Sequence, residues 1–177
     1  MHTAKLFSIK NSVKFIATIG LMGVFSMSHS DDADRWNSER TPQQFTLEVA
    51  TKAAVSALRQ CRRDGYAVSV AVVDRGGNLL IQVRNPDAGP HTLGSSQGKA
   101  FTSASMGQPT TRLANAIAEN PALNGLRDMD SRLVILAGGL PIVFNGELVG
   151  GIGVGGAPGG HLDEACALHG LQQISDE

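Results

Sequence analysis

Aromatic residues are scarce in this chain of 177 residues: they make up 5%, with one Trp and one Tyr. Single-stranded nucleic acid is usually held on several aromatic faces, so a base-stacking platform is excluded. Charge is also thin, at 18% of residues, and no cluster of Lys and Arg could track a phosphate backbone. Cysteine occurs twice, as Cys61 and Cys166, with neither in a Cys-x-x-Cys pair, and no His-Glu-x-x-His motif is present. A dedicated zinc site of either common type is therefore absent. The Gly-x-Ser-x-Gly elbow of serine hydrolases is missing too. No apolar run reaches the ~18 residues that a membrane-spanning helix needs.

The N-terminus has the three parts of an export signal. Lys5, Lys10 and Lys14 precede an apolar run from Phe15 to Met27, with no acidic residue before Asp31. Ser28-His29-Ser30 then places small residues at both recognition positions for a signal peptidase. The expected organisation is a signal peptide over residues 1–30, a polar, flexible leader over 31–44, and a single domain over 45–177. Cleavage near Ser30 removes three of the 15 basic residues and none of the 16 acidic ones, leaving a net charge of −4. The expected location is periplasmic or secreted, without stable membrane insertion after cleavage. In such a compartment Cys61 and Cys166 have a disulfide available to them. They lie about a hundred residues apart on predicted helices, and sequence supplies no distance, so two buried thiols acting as small hydrophobes is the preferred expectation.

Within the domain, Leu47, Ala50, Ala54, Leu58 and Cys61 recur at helical spacing, and Gly65 closes a helix over about 46–64. Val68–Asp74 and Leu79–Arg84 flank Arg75-Gly76-Gly77-Asn78 and read as a hairpin. A loop with Pro86, Gly89 and Pro90 leads to a second helix from about Leu93 to Met106, rich in Ser and Ala. A short helix over about 111–120 follows, then an irregular stretch from Pro121 to Asp130. Leu133–Ala137, Ile142–Asn145 and Leu148–Gly155 read as strands, with Gly138–Pro141 as a turn, and a helix from His161 to Gln173 closes the chain. Short hairpins make neighbouring strands antiparallel. The fold class expected is α+β: an antiparallel sheet of about five strands with helices packed on it. Ten of the 21 glycines fall between Gly138 and Gly160, several of them inside the last strand. Glycine weakens a strand, so another backbone is expected to approach closely there.

The glycine loop from Gly153 to Gly160 sits between a strand and a helix, the context of a phosphate cradle. No Lys-Ser/Thr follows it and Pro158 removes one amide donor, so close packing is the better reading. Three histidines remain after cleavage. His169 falls late in the last helix and reads as a solvated or capping residue. His161 stands beside Asp163 and Glu164 at that helix's start. His91 is the most suggestive, held in Asp87-Ala88-Gly89-Pro90-His91-Thr92 by two prolines just before a helix.

Five blocks occur in order: Val70-Ala71-Val72-Val73-Asp74-Arg75-Gly76-Gly77-Asn78-Leu79, Lys99-Ala100-Phe101-Thr102, Gly138-Gly139-Leu140-Pro141-Ile142, Gly150-Gly151-Ile152-Gly153-Val154-Gly155-Gly156 and Asp163-Glu164-Ala165-Cys166-Ala167. Together they resemble the GlcG/HbpS-like haem-binding family, which includes the C-terminal domain of PduO-type proteins. The resemblance runs from about Phe45 to Leu171. It implies haem (haem b) as cofactor and partner, and homo-oligomers. Some members are haem-degrading or redox-sensing and others only bind, so enzyme status is left open by the resemblance. Where many relatives carry an Arg-Met-Asp-Gly-type loop, this chain has Arg84-Asn85-Pro86-Asp87-Ala88-Gly89-Pro90-His91-Thr92. It is similar there to the branch with Gly-Pro-His-Thr before Ser-Ser-x-x-Lys-Ala. That implies an axial iron ligand at His91, with His161 as the alternative. Lys99 and Arg127 are candidates to pair with haem propionates at a pocket rim. The expected role is haem sequestration, delivery or sensing. A haem-dependent redox or haem-degrading enzyme, and a small-molecule or corrinoid-binding accessory protein without iron chemistry, are the alternatives.

Overall fold

The computed structural model describes residues 45–175. The expected signal peptide and leader lie outside the described residues. The chain begins with helix α1 (Leu47–Arg63), followed by strands β1 (Ser69–Asp74) and β2 (Leu79–Arg84). Helices α2 (His91–Met106) and α3 (Thr110–Glu119) come next, then a 3-10 helix (Pro121–Asp128). Strands β3 (Gly139–Phe144) and β4 (Glu147–Gly155) and helix α4 (Gly160–Gln172) complete it.

Local chemistry explains the boundaries. The Thr46 hydroxyl accepts the Val49 amide and starts α1. Gly65, at φ +87, takes the left-handed turn that ends it. In the β1–β2 hairpin the Asp74 carboxylate accepts the Asn78 amide at 2.8 Å, and Gly77 supplies φ +80.

The sheet has the order β2-β1-β4-β3 and is antiparallel throughout. Two hairpins therefore meet along β1 and β4, with Ser69 opposite Gly155 and Asp74 opposite Gly150. Pro141 falls on β3, an edge strand, where its missing donor is tolerated. One face of the sheet carries α1 and α4 over the main core, in which Val70, Val72, Ile142, Ile152 and Val154 are buried. The other face carries α2, packed on Ala71 and Val73 through Ala100 and Ala104.

The glycines of β4 set how close α2 lies. A Cβ at Gly153 would stand 2.1 Å from the Ser96 carbonyl oxygen and 2.4 Å from the Ala100 amide nitrogen. One at Gly151 would stand 2.4 Å from the Ala100 carbonyl oxygen. The expected close approach is thus made by the backbone of α2, whose own Ser and Ala side chains permit it.

The structure changes four expectations. There are four strands in the sheet, because residues Leu133–Ala137 are not a strand. They run over α2 instead, where the Val134 amide donates to the Thr102 hydroxyl and Val134 fills the space left by Gly98. The turn expected at Gly138–Pro141 lies largely within β3. Helix α2 starts at His91 rather than Leu93, so the histidine read as a loop residue is the first residue of a helix. Finally, Cys61 and Cys166 are joined in a disulfide that ties α1 to α4, not left as separate thiols. Both are buried where Gly170 of α4 lies against Ala53 and Ala57 of α1, and that close packing gives the sulfurs their distance.

Candidate functional site

Three α2 residues at one-turn spacing, His91, Ser95 and Lys99, face the glycine loop between β4 and α4. Between them lies a cavity of about 390 Å³, closed on a third side by Leu136 and Ala137. That volume is within the ~300–1,000 Å³ usual for small-molecule sites.

The floor of this cavity is an ion pair. Lys99 Nζ donates to Asp163 Oδ2 and to the Val154 carbonyl, both at 2.8 Å. Asp163 Oδ1 accepts the Ala157 amide at 3.0 Å. Each side chain of the pair is only 4% exposed. A buried pair with both charges answered and hydrogen-bonded is tolerated, whereas either partner alone is not. The pair ties α2, the end of β4, the glycine loop and the first turn of α4 into one unit. Gly138 completes the fit, since a Cβ there would meet Asp163 and Lys99 Nζ. Lys99 was expected at a pocket rim, but it lies at the floor with its charge answered by Asp163.

The wall is pinned through Thr92. Its hydroxyl donates to the Gly89 carbonyl at 2.6 Å and shares a 2.7 Å hydrogen bond with the Ser69 hydroxyl of β1. His91, the preceding residue, is exposed, and its imidazole packs back over Gly89, where a Cβ would stand 2.7 Å from Cε1. Among the described residues the His91 ring has no hydrogen bond or ion pair, so both nitrogens are open to a ligand. His161 is also exposed and lies in the same way over Gly159, but at the start of α4 and outside the lining of the cavity. His169 is half-buried, with Nε2 3.3 Å from Arg63 Nη2.

Leu136 on the cavity rim is 57% exposed, an apolar surface held in water. Arg127 reaches the same segment, with Nη1 donating to the Ile135 carbonyl at 3.2 Å. Its guanidinium keeps further donors beyond that bond. The structure thus brings His91 and Lys99 to one cavity, whereas Arg127 is tied to Ile135, the residue before Leu136 of the lining, and His161 does not line the cavity. Sequence reading missed Asp163 as the partner of Lys99, and Ser95 and Leu136 as lining. The four-residue spacing of His91, Ser95 and Lys99 carried a signal, hidden while the helix start was set at Leu93.

The sequence and the fold match known proteins. A model of the HbpS-like family, described as "Haem degrading protein HbpS-like", matches residues 45–172. The chain belongs to the HbpS-like family. An uncharacterized 15.0 kDa protein from the dhaT-dhaS intergenic region of Citrobacter freundii is 33% identical over 121 residues, covering 68% of this chain and 85% of that protein. The crystal structure of HbpS superposes with a TM-score of 0.69 at 45% identity, covering 75% of this chain and 91% of the other. Klebsiella pneumoniae protein ORFY superposes with a TM-score of 0.72 at 31% identity, covering 78% and 95%.

Proposed function

We propose that this chain is an exported protein that binds haem b and ligates its iron through His91, for haem sequestration, delivery or sensing. The observation that carries the reading is an exposed imidazole with no partner among the described residues, on the wall of a cavity in a chain of a haem-related family. Haem supplies an iron that takes neutral imidazole as an axial ligand. The residues present fit it. His91 offers the nitrogen, Leu136 offers apolar surface for a macrocycle, and Arg127 offers donors for a propionate. Lys99, neutralised by Asp163, shapes the floor. Both cysteines are joined to each other and no free thiol remains. That supports a haem held without thioether bonds, as in haem b.

Export rests on the Lys-rich, apolar and small-residue pattern of residues 1–30. No helix among the described residues is long and apolar enough to cross a membrane. Assembly as a homo-oligomer is part of the same proposal. It rests on the family resemblance.

Haemin titration tests the reading. Wild type is expected to give a saturable Soret shift, and His91→Ala to lose it or to bind at least tenfold more weakly with a changed spectrum. Absence of a shift in wild type refutes haem binding. An unchanged spectrum and affinity in His91→Ala refutes the ligand and moves attention to His161. Adding reductant and oxygen, with catalase to exclude peroxide bleaching, then separates binding from haem degradation.

A further inference from the structure

A second groove is lined in part by Asn85, Pro86 and Asp87 of the segment that leads to His91. It has a volume of about 370 Å³ and runs between α1 and the chain following β2. Val55, Leu58 and Pro86 give it apolar surface, and Arg59, Arg62 and Arg84 stand around it. Asp87 is the one acidic residue of the lining, and its amide is held by Asn85 Oδ1. Arg84 donates to the Ala88 carbonyl. Arg59 and Arg62, both exposed, have no partner among the described residues. An apolar surface with unanswered guanidinium groups fits a segment that carries one large apolar side chain with an excess of carboxylates to one side of it.

The chain itself has such a segment. Asp31, Asp32 and Asp34, against the single cation Arg35, precede Trp36, the only tryptophan, a few residues before α1. We propose that residues 31–36 dock in this groove, with Trp36 on Val55, Leu58 and Pro86 and the aspartates against the arginines. Reach permits it. The nine steps from Trp36 to Phe45 span up to ~30 Å when extended. Leu47 to Leu58 along α1 is about 17 Å. The order of residues agrees as well. A segment folding back along α1 brings Trp36 to Leu58 first and carries the aspartates on towards Arg62. Docked there, it braces Asn85–Asp87, four to six residues before His91. The inference does not depend on haem binding.

Because Trp36 is the sole tryptophan, its fluorescence reads the docking directly in the full chain after export and processing. Wild type is expected to emit at shorter wavelength than the urea-unfolded chain and to show a several-fold lower acrylamide quenching slope. Arg59→Glu with Arg62→Glu is expected to move both values to those of the unfolded chain while far-UV circular dichroism stays folded. Asp31→Asn, Asp32→Asn and Asp34→Asn together, which leave the folded domain untouched, are expected to do the same. Converting those three aspartates to Lys in the Arg59→Glu, Arg62→Glu background is expected to restore the wild-type signal. A wild-type Trp36 that emits like the unfolded chain overturns the proposal, as does a protected Trp36 indifferent to both sets of variants. Protection that appears only with rising protein concentration also overturns it and assigns the groove to a second copy.

Discussion

Lys99→Met is expected to destabilise the domain by about 3–5 kcal/mol, because it strands a buried carboxylate. The wild-type pair is closed on all sides, with Asp163 holding Lys99 and Ala157, and Lys99 also holding Val154. Without the ammonium, Asp163 keeps a single amide donor at a site where its side chain is 4% exposed. Asp163→Leu leaves the mirror problem, an ammonium with one carbonyl, at a similar cost. Additivity would then put the double variant Lys99→Met/Asp163→Leu at ~6–10 kcal/mol, beyond the stability of many domains. With both charges gone no uncompensated ion remains, so the double variant is expected to lose no more than either single one, a coupling of at least ~2 kcal/mol. Urea unfolding at pH 7, followed by circular dichroism for wild type, both singles and the double, measures the cycle. Single variants that lose less than ~1 kcal/mol, or a double that adds within ~0.5 kcal/mol, refute the reasoning.

Other consequences follow from the same geometry. Cys61→Ala with Cys166→Ala, or reduction by dithiothreitol, opens a loop of 105 residues, which in chain-entropy terms removes roughly 4–5 kcal/mol. Urea midpoints with and without reductant check it, and a loss under ~1 kcal/mol contradicts it. Gly153→Ala places a methyl against the backbone of α2 and is expected to cost ~1–3 kcal/mol or more, while Gly65→Ala meets only its backbone strain. A Gly153→Ala melting temperature equal to wild type would show that α2 does not lie where described. Arg132 holds the Asp130 carboxyl down to about 2, from an ordinary 3.8, through its side-chain and backbone hydrogen bonds. The folded value is depressed, so the stabilisation is present above pH 3.8 and is lost as pH falls towards about 2. Carboxyl NMR titration should show Asp130 returning towards 3.8 in Arg132→Ala, and an unmoved midpoint would remove Arg132 as the cause.

The site has a consistent physical logic. The cavity wall is the N-terminal end of α2, fixed by Thr92 to β1 and by Lys99 to Asp163. The side chain that stays free is His91, on a helix whose neighbouring residues are held at two points. The backbone that carries His91 is therefore fixed, while its imidazole has no hydrogen-bond partner among the described residues.

Much of this was legible from sequence. The helical spacing of Leu47 to Cys61, the hairpin around Gly76-Gly77 and the antiparallel α+β class are local or nearly local properties. Repeat spacing and turn chemistry fix them before any tertiary contact forms. The density of glycine in β4 foretold a close approach, although not that α2 makes it. What tertiary structure alone decided depends on distances between segments far apart in the chain. Cys61 and Cys166 meet because Gly170 lets α4 lie against α1. Leu133–Ala137 has the β-branched composition of a strand but is held against α2 by Thr102 and Gly98. Lys99, which as a lone cation belongs in water, is buried because Asp163 arrives from 64 residues away. Residue patterns set which face of each element is apolar, and the packing of those faces then chose which polar groups meet.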